Sequence, residues 1–195
     1  MTNLQALLNE KSANIEQIEA LLDSLDNQAR TREALSLGRK EQKRLFELAA
    51  GRALDLDYYV PADKPPMQEV VHEGRNTLPF FNYFAKVFVR PDSGADGELW
   101  GYNRNTPLLE RIVGPGYFVA LPYSVPGEVV IDYRRIPPRK PAHWPEILRN
   151  DQRLSVVVYN GMEDIMRRVS KHVSIGQATK GGKNLPSFFV LCRQE

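Results

Sequence analysis

The sequence predicts an α+β protein in which an N-terminal helical hairpin precedes a mostly antiparallel sheet that curves into a half-barrel. Over residues 2–27, apolar side chains recur at alternating steps of four and three, which is typical of an amphipathic helix. After residue 66, short β-rich runs separated by glycine and proline outnumber helical patterns and come mostly as adjacent hairpins. Helical spacing returns once, around residues 150–169, and predicts one long helix in the C-terminal region.

The first helix is predicted from a heptad-like seam, and either Thr2 or Asn3 can cap its start. Residues 31–52 predict a second helix with Thr31 as its N-cap. The polar stretch 26–30 between them suggests a helical hairpin, although one continuous helix also fits. The seam fits dimerisation and fits equally well packing on its own domain. It comprises Leu4, Leu8, Lys11, Ile15, Ile18, Leu22 and Leu25.

Prolines within residues 55–66 prevent a helix from continuing, because proline fixes φ and lacks an amide donor. This connection divides a helical segment, residues 1–54, from an α+β sheet domain, residues 67–195. Whether the two form one compact unit stays open.

Several elements are predicted between the connection and residue 113. Residues 67–73 and 98–103 have strand patterns. Residues 78–90 fit either a helix or a strand, and their aromatic and β-branched content favours a short helical turn followed by a strand over 83–89. Thr106 and Pro107 resemble the start of a short helix that continues through Ile112.

Residues 114–135 predict the central hairpin, with two β-rich runs around a break at residues 122–127. Because side chains alternate on a strand, Tyr117 shares a face with Val119 and Leu121. On the second run, Tyr133 shares a face with Val129 and Ile131, and Asp132 and Arg134 lie on the opposite face. One face therefore meets a core and the other meets water or a polar cavity.

The last third begins with a proline-rich segment, residues 136–145, that predicts an extended chain. Asn150 or Asp151 can cap a following helix, whose apolar positions are Leu154, Val158, Met162, Ile165, Met166 and Val169. Residues 173–179 and 187–192 predict a closing hairpin with a loop longer than two residues.

Composition bounds the class of protein. The chain has 195 residues, of which 42% are hydrophobic and 26% charged, as in an ordinary globular protein. The sequence contains no run of 18 apolar residues, so no transmembrane helix is predicted, and the first residues lack the pattern of a signal peptide. The single cysteine, Cys192, excludes an internal disulfide, and we therefore expect a reducing, cytoplasmic compartment.

Charge is unevenly distributed along the chain. Residues 1–100 carry 12 Lys and Arg against 16 Asp and Glu, whereas residues 101–195 carry 14 against 8. The basic half can attract anions, or it can pair with the acidic half of the same molecule. The basic residues after 133 include Arg134, Arg135, Arg139, Lys140, Arg167, Arg168, Lys171, Lys180 and Lys183. Nucleic acid is not favoured as a partner, because no established binding motif is present.

Motifs for chemistry fail on inspection. Gly114 and Gly116 lack the third glycine of a dinucleotide fingerprint, and the Gly176–Gly181 spacing lacks the lysine of a P-loop. Glu69 and His72 form half of a di-metal pattern without a second copy, so no metal site is predicted. No Gly-x-Ser-x-Gly motif is present, and Cys192 lies in an apolar run where a thiol is inert.

The sequence therefore indicates a protein that binds a small, partly apolar ligand, which can also be anionic, in a sheet-lined pocket. One alternative is an interaction module that dimerises through the N-terminal helices. Another is an enzyme, for which the sequence indicates neither a reaction class nor a cofactor; His172 with Asp132 would be its acid–base pair. The candidate ligand-binding residues are Tyr102, Tyr117, Asp132, Tyr133, Arg134 and His172.

Overall fold

The computed structural model describes residues 3–79, 82–94, 96–148 and 159–195. Within these residues, four helices precede the 55–66 connection, one lies inside it and one follows it. In chain order they are α1 (Leu4–Asn9), α2 (Ile15–Asp23), α3 (Asn27–Ser36), α4 (Arg39–Leu48), α5 (Leu56–Tyr59) and α6 (Pro107–Val113).

The N-terminal segment is broken into more helices than its periodicity predicts. The predicted first helix stops at Asn9 and begins again at Ile15, because the Asn14 side chain caps α2 in a capping box with Gln17. The predicted cap Thr31 lies inside α3, whose actual cap is Asp26. Spacing alone therefore identified the apolar face but did not locate the interruptions.

The rest of the described chain forms a closed antiparallel barrel in which each strand pairs with the next and the last pairs with the first. In chain order the strands are β1 (Val70–Asn76), β2 (Tyr83–Val89), β3 (Leu99–Arg104), β4 (Phe118–Pro122), β5 (Val129–Asp132), β6 (Met162–Arg168), β7 (Val173–Lys180) and β8 (Lys183–Arg193).

The predicted α+β half-barrel is wrong. The barrel is closed by an antiparallel register between β1 and β8, in which Gly74 lies opposite Leu191 and Glu73 opposite Cys192. This pairing joins residues far apart in the sequence. No local sequence pattern predicts such a pairing, whereas the turn residues between neighbouring strands do indicate hairpins.

The predicted long C-terminal helix is also wrong where it can be compared. Residues 162–168 form β6, paired with β5 and β7. Met162, Ile165, Met166 and Val169 imitate helical spacing because both faces of this strand are largely covered: Ile165 and Met166 point to opposite faces and are both buried. The predicted cap at Asn150 or Asp151, with Leu154 and Val158, lies outside the described residues.

Local turn chemistry explains several other elements. The strand over 83–89 is present, residues 77–79 are not helical, and Phe80 lies outside the described residues. Pro107 opens α6 as predicted. The closing hairpin has a two-residue turn, shorter than predicted, in which Gly181 and Gly182 have φ values of 58° and 74°. Two positive φ angles are what a type I′ hairpin requires.

Buried apolar side chains form three cores, two outside the barrel wall and one inside it. Helices α1–α4 cover the outside of β7 and β8, where Leu22 and Leu45 meet Val190. Beneath the proline-rich segment, Trp144 covers the outer face of β3 and β4. Inside the barrel, α5 closes one end through Tyr59, which stacks on Phe88 with ring centroids 4.8 Å apart. The opposite end of the interior lies under α6 and holds a cavity.

Candidate ligand-binding cavity

The barrel end opposite α5 contains a cavity of about 340 Å³ that opens toward solvent. This volume lies at the lower end of the range for small-molecule sites, roughly 300–1,000 Å³. Apolar side chains form most of its wall, and α6 contributes three of them. The lining residues are Asn76, Phe84, Lys86, Asn103, Asn105, Leu109, Ile112, Val113, Tyr133, Tyr159, Met162, Asp164, Ala178, Ser187, Phe188 and Phe189.

Strand alternation places charged and polar groups at the inner end of this cavity. Lys86 lies between Phe84 and Phe88 on the inward face of β2. Asp164 lies between Met162 and Met166 on the inward face of β6, where Met166 belongs to the barrel core. The two charges are almost fully buried, with side-chain exposures of 2% and 6%, and their Nζ and Oδ2 atoms are 3.2 Å apart.

The Lys86 ammonium has three hydrogen-bond acceptors. Its Nζ donates to Asn103 Oδ1 at 2.9 Å and to the Tyr133 hydroxyl, in addition to its contact with Asp164. Asn103 in turn donates through Nδ2 to the Gly116 carbonyl at 3.0 Å. An ammonium has three N–H donors, so all of them are satisfied by the protein.

Four aromatic rings surround the same ammonium. Its Nζ lies 4.9 Å from the ring centroid of Tyr133, 5.0 Å from those of Phe118 and Phe189, and 5.6 Å from that of Phe84. Contacts of this length stabilise a cation through the ring quadrupole, and more so when the cation is desolvated. The interior therefore accommodates a positive charge at this point despite its apolar wall.

Burial also shifts the ionisation of the cluster. Removal from water lowers the pKa of Lys86, and the nearby Asp164 carboxylate opposes this shift. Burial raises the pKa of Asp164, opposed by Lys86. Burial and the neighbouring Asp164 raise the pKa of the Tyr133 phenol well above its usual value. Both shifts reduce the difference between the pKa values of the two groups, and the raised pKa of Tyr133 keeps it a neutral hydroxyl.

Two glycines on the inward face of the barrel make room for aromatic rings near the cavity. A Cβ on Gly101 would collide with the ring of Phe118 and would lie 2.6 Å from the Val87 carbonyl oxygen. A Cβ on Gly176 would collide with the Phe189 ring and lie 2.6 Å from the Met166 sulfur. Both glycines therefore allow rings from neighbouring strands to fold across the barrel.

The structure places one of the six predicted site residues in the cavity. Tyr133 lines it and stacks on Tyr159 at 5.1 Å. Tyr102 and Tyr117 lie outside the barrel wall, with ring centroids 4.7 and 6.3 Å from that of Trp144. The predicted faces of the central hairpin are therefore correct, but the tyrosines fall on both sides of the wall.

The remaining predicted residues do not join Tyr133. Asp132 points outward and is bonded by Arg134, whose Nη2 also bonds Glu163 at 2.6 Å. His172 lies in the connection between β6 and β7, where its Nε2 is 2.9 Å from Glu195 Oε1. Burial lowers the pKa of His172. The predicted acid–base pair of His172 with Asp132 has no counterpart in these contacts.

Several basic residues of the C-terminal half form separate ion pairs with acidic residues of the N-terminal half. Arg135 pairs with Glu98, Arg139 with Asp92, and Arg168 with Glu19. These pairs connect the basic half of the chain to its acidic half. They use charges that an anion site would otherwise take.

Sequence analysis missed Lys86, Asp164 and Asn103, which form the polar floor. A signal was present for Lys86: in Phe84-Ala-Lys86-Val-Phe88, strand alternation puts a lysine on the same face as two phenylalanines. The same argument applies to Asp164 between Met162 and Met166, but only once that segment is treated as a strand. The helical interpretation of residues 150–169 hid it.

Other site classes receive no support from the described ranges. In these ranges, no group of three or more His, Cys, Asp or Glu side chains comes together as a metal site. None of the helices in the described part of the chain has the length and hydrophobicity needed to cross a bilayer. Comparison of the chain with protein families, curated proteins and solved structures finds no match.

Proposed function

We propose that this protein binds a small, partly apolar and uncharged molecule inside the barrel. The observation that carries the proposal is the cavity of about 340 Å³, with apolar walls and a polar cluster at its inner end. An apolar pocket with a few convergent polar groups is the usual form of a small-molecule site. The apolar part of the ligand would pack between α6 and the rings of Phe84 and Phe189.

The preference for an uncharged ligand follows from the charges of the floor. Lys86 and Asp164 neutralise each other, and the three ammonium donors are already engaged. A ligand that brought a net charge to this depth would have to be desolvated without an unpaired counter-charge to receive it. This argument departs from the expectation of an anionic ligand, and an anionic probe tests it.

The experiment is a fluorescence titration with two apolar probes, uncharged N-phenyl-1-naphthylamine and anionic 8-anilinonaphthalene-1-sulfonate. We expect saturable binding of the uncharged probe at one site per chain and weaker binding of the anion. Ala178→Phe should abolish binding of the uncharged probe, because Ala178 points into the cavity from β7 and a phenyl ring would fill it.

The matched control is Val125→Phe, which adds the same ring at an exposed position in the β4–β5 connection. It should bind the probe like the unsubstituted protein. Thermal unfolding of both variants verifies that they fold. Equal binding by the folded Ala178→Phe variant would show that the cavity is not the site, and tighter binding of the sulfonate would favour an anionic ligand. Native mass spectrometry of freshly purified protein would also reveal a retained ligand as added mass.

A further inference from the structure

We propose that the Lys86 amine captures an aldehyde or ketone in the cavity as a Schiff base. This inference rests on the proposed binding function and names the reactive group that its ligand would carry. A primary amine is the nucleophile that proteins use for carbonyl compounds. The Lys86 amine lies at the inner end of the cavity, where a bound apolar molecule would place its polar end.

The geometry supplies the groups that imine formation needs. A carboxyl group, Asp164, lies 3.2 Å from Nζ, and the Tyr133 hydroxyl is hydrogen-bonded to the same nitrogen. Asp164 can exchange a proton with the amine or with the oxygen that leaves, and the Tyr133 hydroxyl can donate a hydrogen bond to that oxygen. The surrounding rings exclude bulk water, which otherwise hydrolyses an imine.

The reaction balances without an added reactant. Lys86 transfers a proton to Asp164, and the freed nitrogen lone pair attacks the carbonyl carbon while the C=O π pair moves to oxygen. After proton transfers within the cluster, the carbinolamine loses its oxygen as water and the nitrogen lone pair forms the C=N bond. Overall, the ammonium and the carbonyl compound give an iminium and one water, and Asp164 ends as the carboxylate it was at the start.

The cluster remains satisfied after the reaction. An iminium has one N–H, which donates a hydrogen bond to the Asp164 carboxylate, and this carboxylate is also its counter-ion. The two acceptors that Lys86 releases already lie within hydrogen-bond distance of each other, since the Tyr133 hydroxyl is 3.3 Å from Asn103 Oδ1. The iminium retains the positive charge, so the four rings at 4.9–5.6 Å stabilise it as they stabilise the ammonium.

Burial further favours the reaction at this lysine over others. It lowers the pKa of Lys86, which increases the fraction of unprotonated amine, whereas Lys180 and Lys183 are exposed to water. An apolar aldehyde is also concentrated beside Lys86 by the cavity. Selectivity among the lysines is therefore the measurable consequence.

The test is reductive trapping of trans-cinnamaldehyde with sodium cyanoborohydride, followed by peptide mapping by mass spectrometry. At low aldehyde concentration, Lys86 should be modified about tenfold or more faster than Lys183, because the cavity holds the apolar aldehyde beside the Lys86 amine. Lys86→Arg keeps the positive charge and should lose the cavity adduct without altering the slow modification of exposed lysines.

A second variant protects the test from a folding defect. Lys86→Met with Asp164→Leu replaces both charges by apolar side chains of similar size, which proteins often tolerate. It should fold and bind N-phenyl-1-naphthylamine but form no adduct at position 86. Displacement of that probe by cinnamaldehyde without trapping at Lys86, or trapping no faster than at Lys183, would overturn the Schiff base and leave the binding function. Failure of both displacement and trapping would likewise overturn the Schiff base, whereas absence of saturable probe binding before the aldehyde is added would remove the binding function as well.

Discussion

The Lys86 ammonium and the Asp164 carboxylate meet inside the barrel from opposite walls. Their strands, β2 and β6, are four positions apart in a ring of eight, so their ion pair, with an Nζ to Oδ2 distance of 3.2 Å, crosses the interior. Asn103 and Tyr133, from β3 and the end of β5, bond the same ammonium. The polar cluster is therefore both the cavity floor and a connection between strands that do not pair.

Removing one member of this pair should be far more damaging than removing both. Lys86→Met leaves a buried carboxylate without a counter-charge, and we expect it to lower the free energy of unfolding by about 3–5 kcal/mol. Lys86→Met combined with Asp164→Leu should recover most of that loss. Urea denaturation of the three proteins measures the difference.

An exposed pair provides the control for this comparison. Lys43 and Glu47 are four residues apart on α4, with side chains 63% exposed. Lys43→Met should change stability by only about 0.3–0.5 kcal/mol, the usual value for such a pair. A single Lys86→Met variant as stable as the double variant would contradict a charged pair in the folded protein.

The sequence predicted the hairpins between neighbouring strands but did not predict the pairing of strands that are distant in the chain. Alternation correctly placed Val129, Ile131 and Tyr133 on one face of β5, because a two-residue period is a local property. Closure of the barrel depends on pairs such as Gly74 with Leu191, and these leave no local trace. The half-barrel prediction failed at that step.

The polar cluster of the cavity was not predicted from the sequence for a related reason. Its floor combines residues from four strands, and each is ordinary in its own segment. Lys86 was concealed by the ambiguity of residues 78–90, and Asp164 by apolar spacing that imitates a helix. Tyr133 was among the predicted residues because alternation along its strand placed it on the same face as Val129 and Ile131. A buried ion pair becomes visible only when both strands are oriented around a common interior.

The two interior glycines predict a coupling between packing and binding. Gly176→Ala should force the ring of Phe189 toward the cavity, because the added Cβ would collide with it. We expect a loss of about 1–3 kcal/mol in unfolding free energy, typical of overpacking, and weaker binding of N-phenyl-1-naphthylamine. Denaturation and probe titration measure the two effects.

Gly38→Ala is the control for this substitution. Gly38 precedes α4 with an ordinary φ of −84°, and an added Cβ would meet only the flexible Glu41 side chain at 3.0 Å. Probe binding should stay close to that of the unsubstituted protein, and stability should fall by about 1 kcal/mol or less, because Gly38 is the N-cap of α4 and alanine is a poorer N-cap residue. If Gly176→Ala bound the probe normally, the Phe189 ring would not form part of the site.

The apolar seam of the N-terminal helices is expected to act within one chain. Leu22 is fully buried in the core that α1–α4 share with the outside of β7 and β8. Leu22→Ala should therefore lower the free energy of unfolding by about 2–5 kcal/mol, through lost contacts and the cavity that remains. Its elution from a sizing column should not change.

Val125→Ala, at an exposed apolar position, is the control and should have little effect on stability. A change in the elution of Leu22→Ala at constant stability would support the alternative in which the helices dimerise. The same pair of measurements thus separates internal packing from association.

His72 predicts how stability depends on pH. It is fully buried inside the barrel, its Nε2 lies 3.0 Å from the Tyr59 carbonyl, and its Nδ1 has no hydrogen-bond partner among the described residues. Burial lowers the pKa of His72 from 6.5 to about 3. Between these values the unfolded chain binds a proton that the folded protein does not.

The free energy of unfolding should therefore contain the full contribution of His72 above pH 6.5 and should fall as pH decreases toward 3. This group contributes a slope of up to about 1.4 kcal/mol per pH unit. The lowered pKa of His172 acts in the same direction. Urea denaturation between pH 4.5 and 6.5 measures the slope above the range where most carboxylates titrate.

His72→Gln retains an N–H for the Tyr59 carbonyl but does not titrate, so its slope should be reduced by His72's share. His143→Gln makes the same substitution at an exposed histidine and is the matched control. An unchanged slope in His72→Gln would show that His72 is already protonated in the folded protein or is more accessible to water than its position indicates.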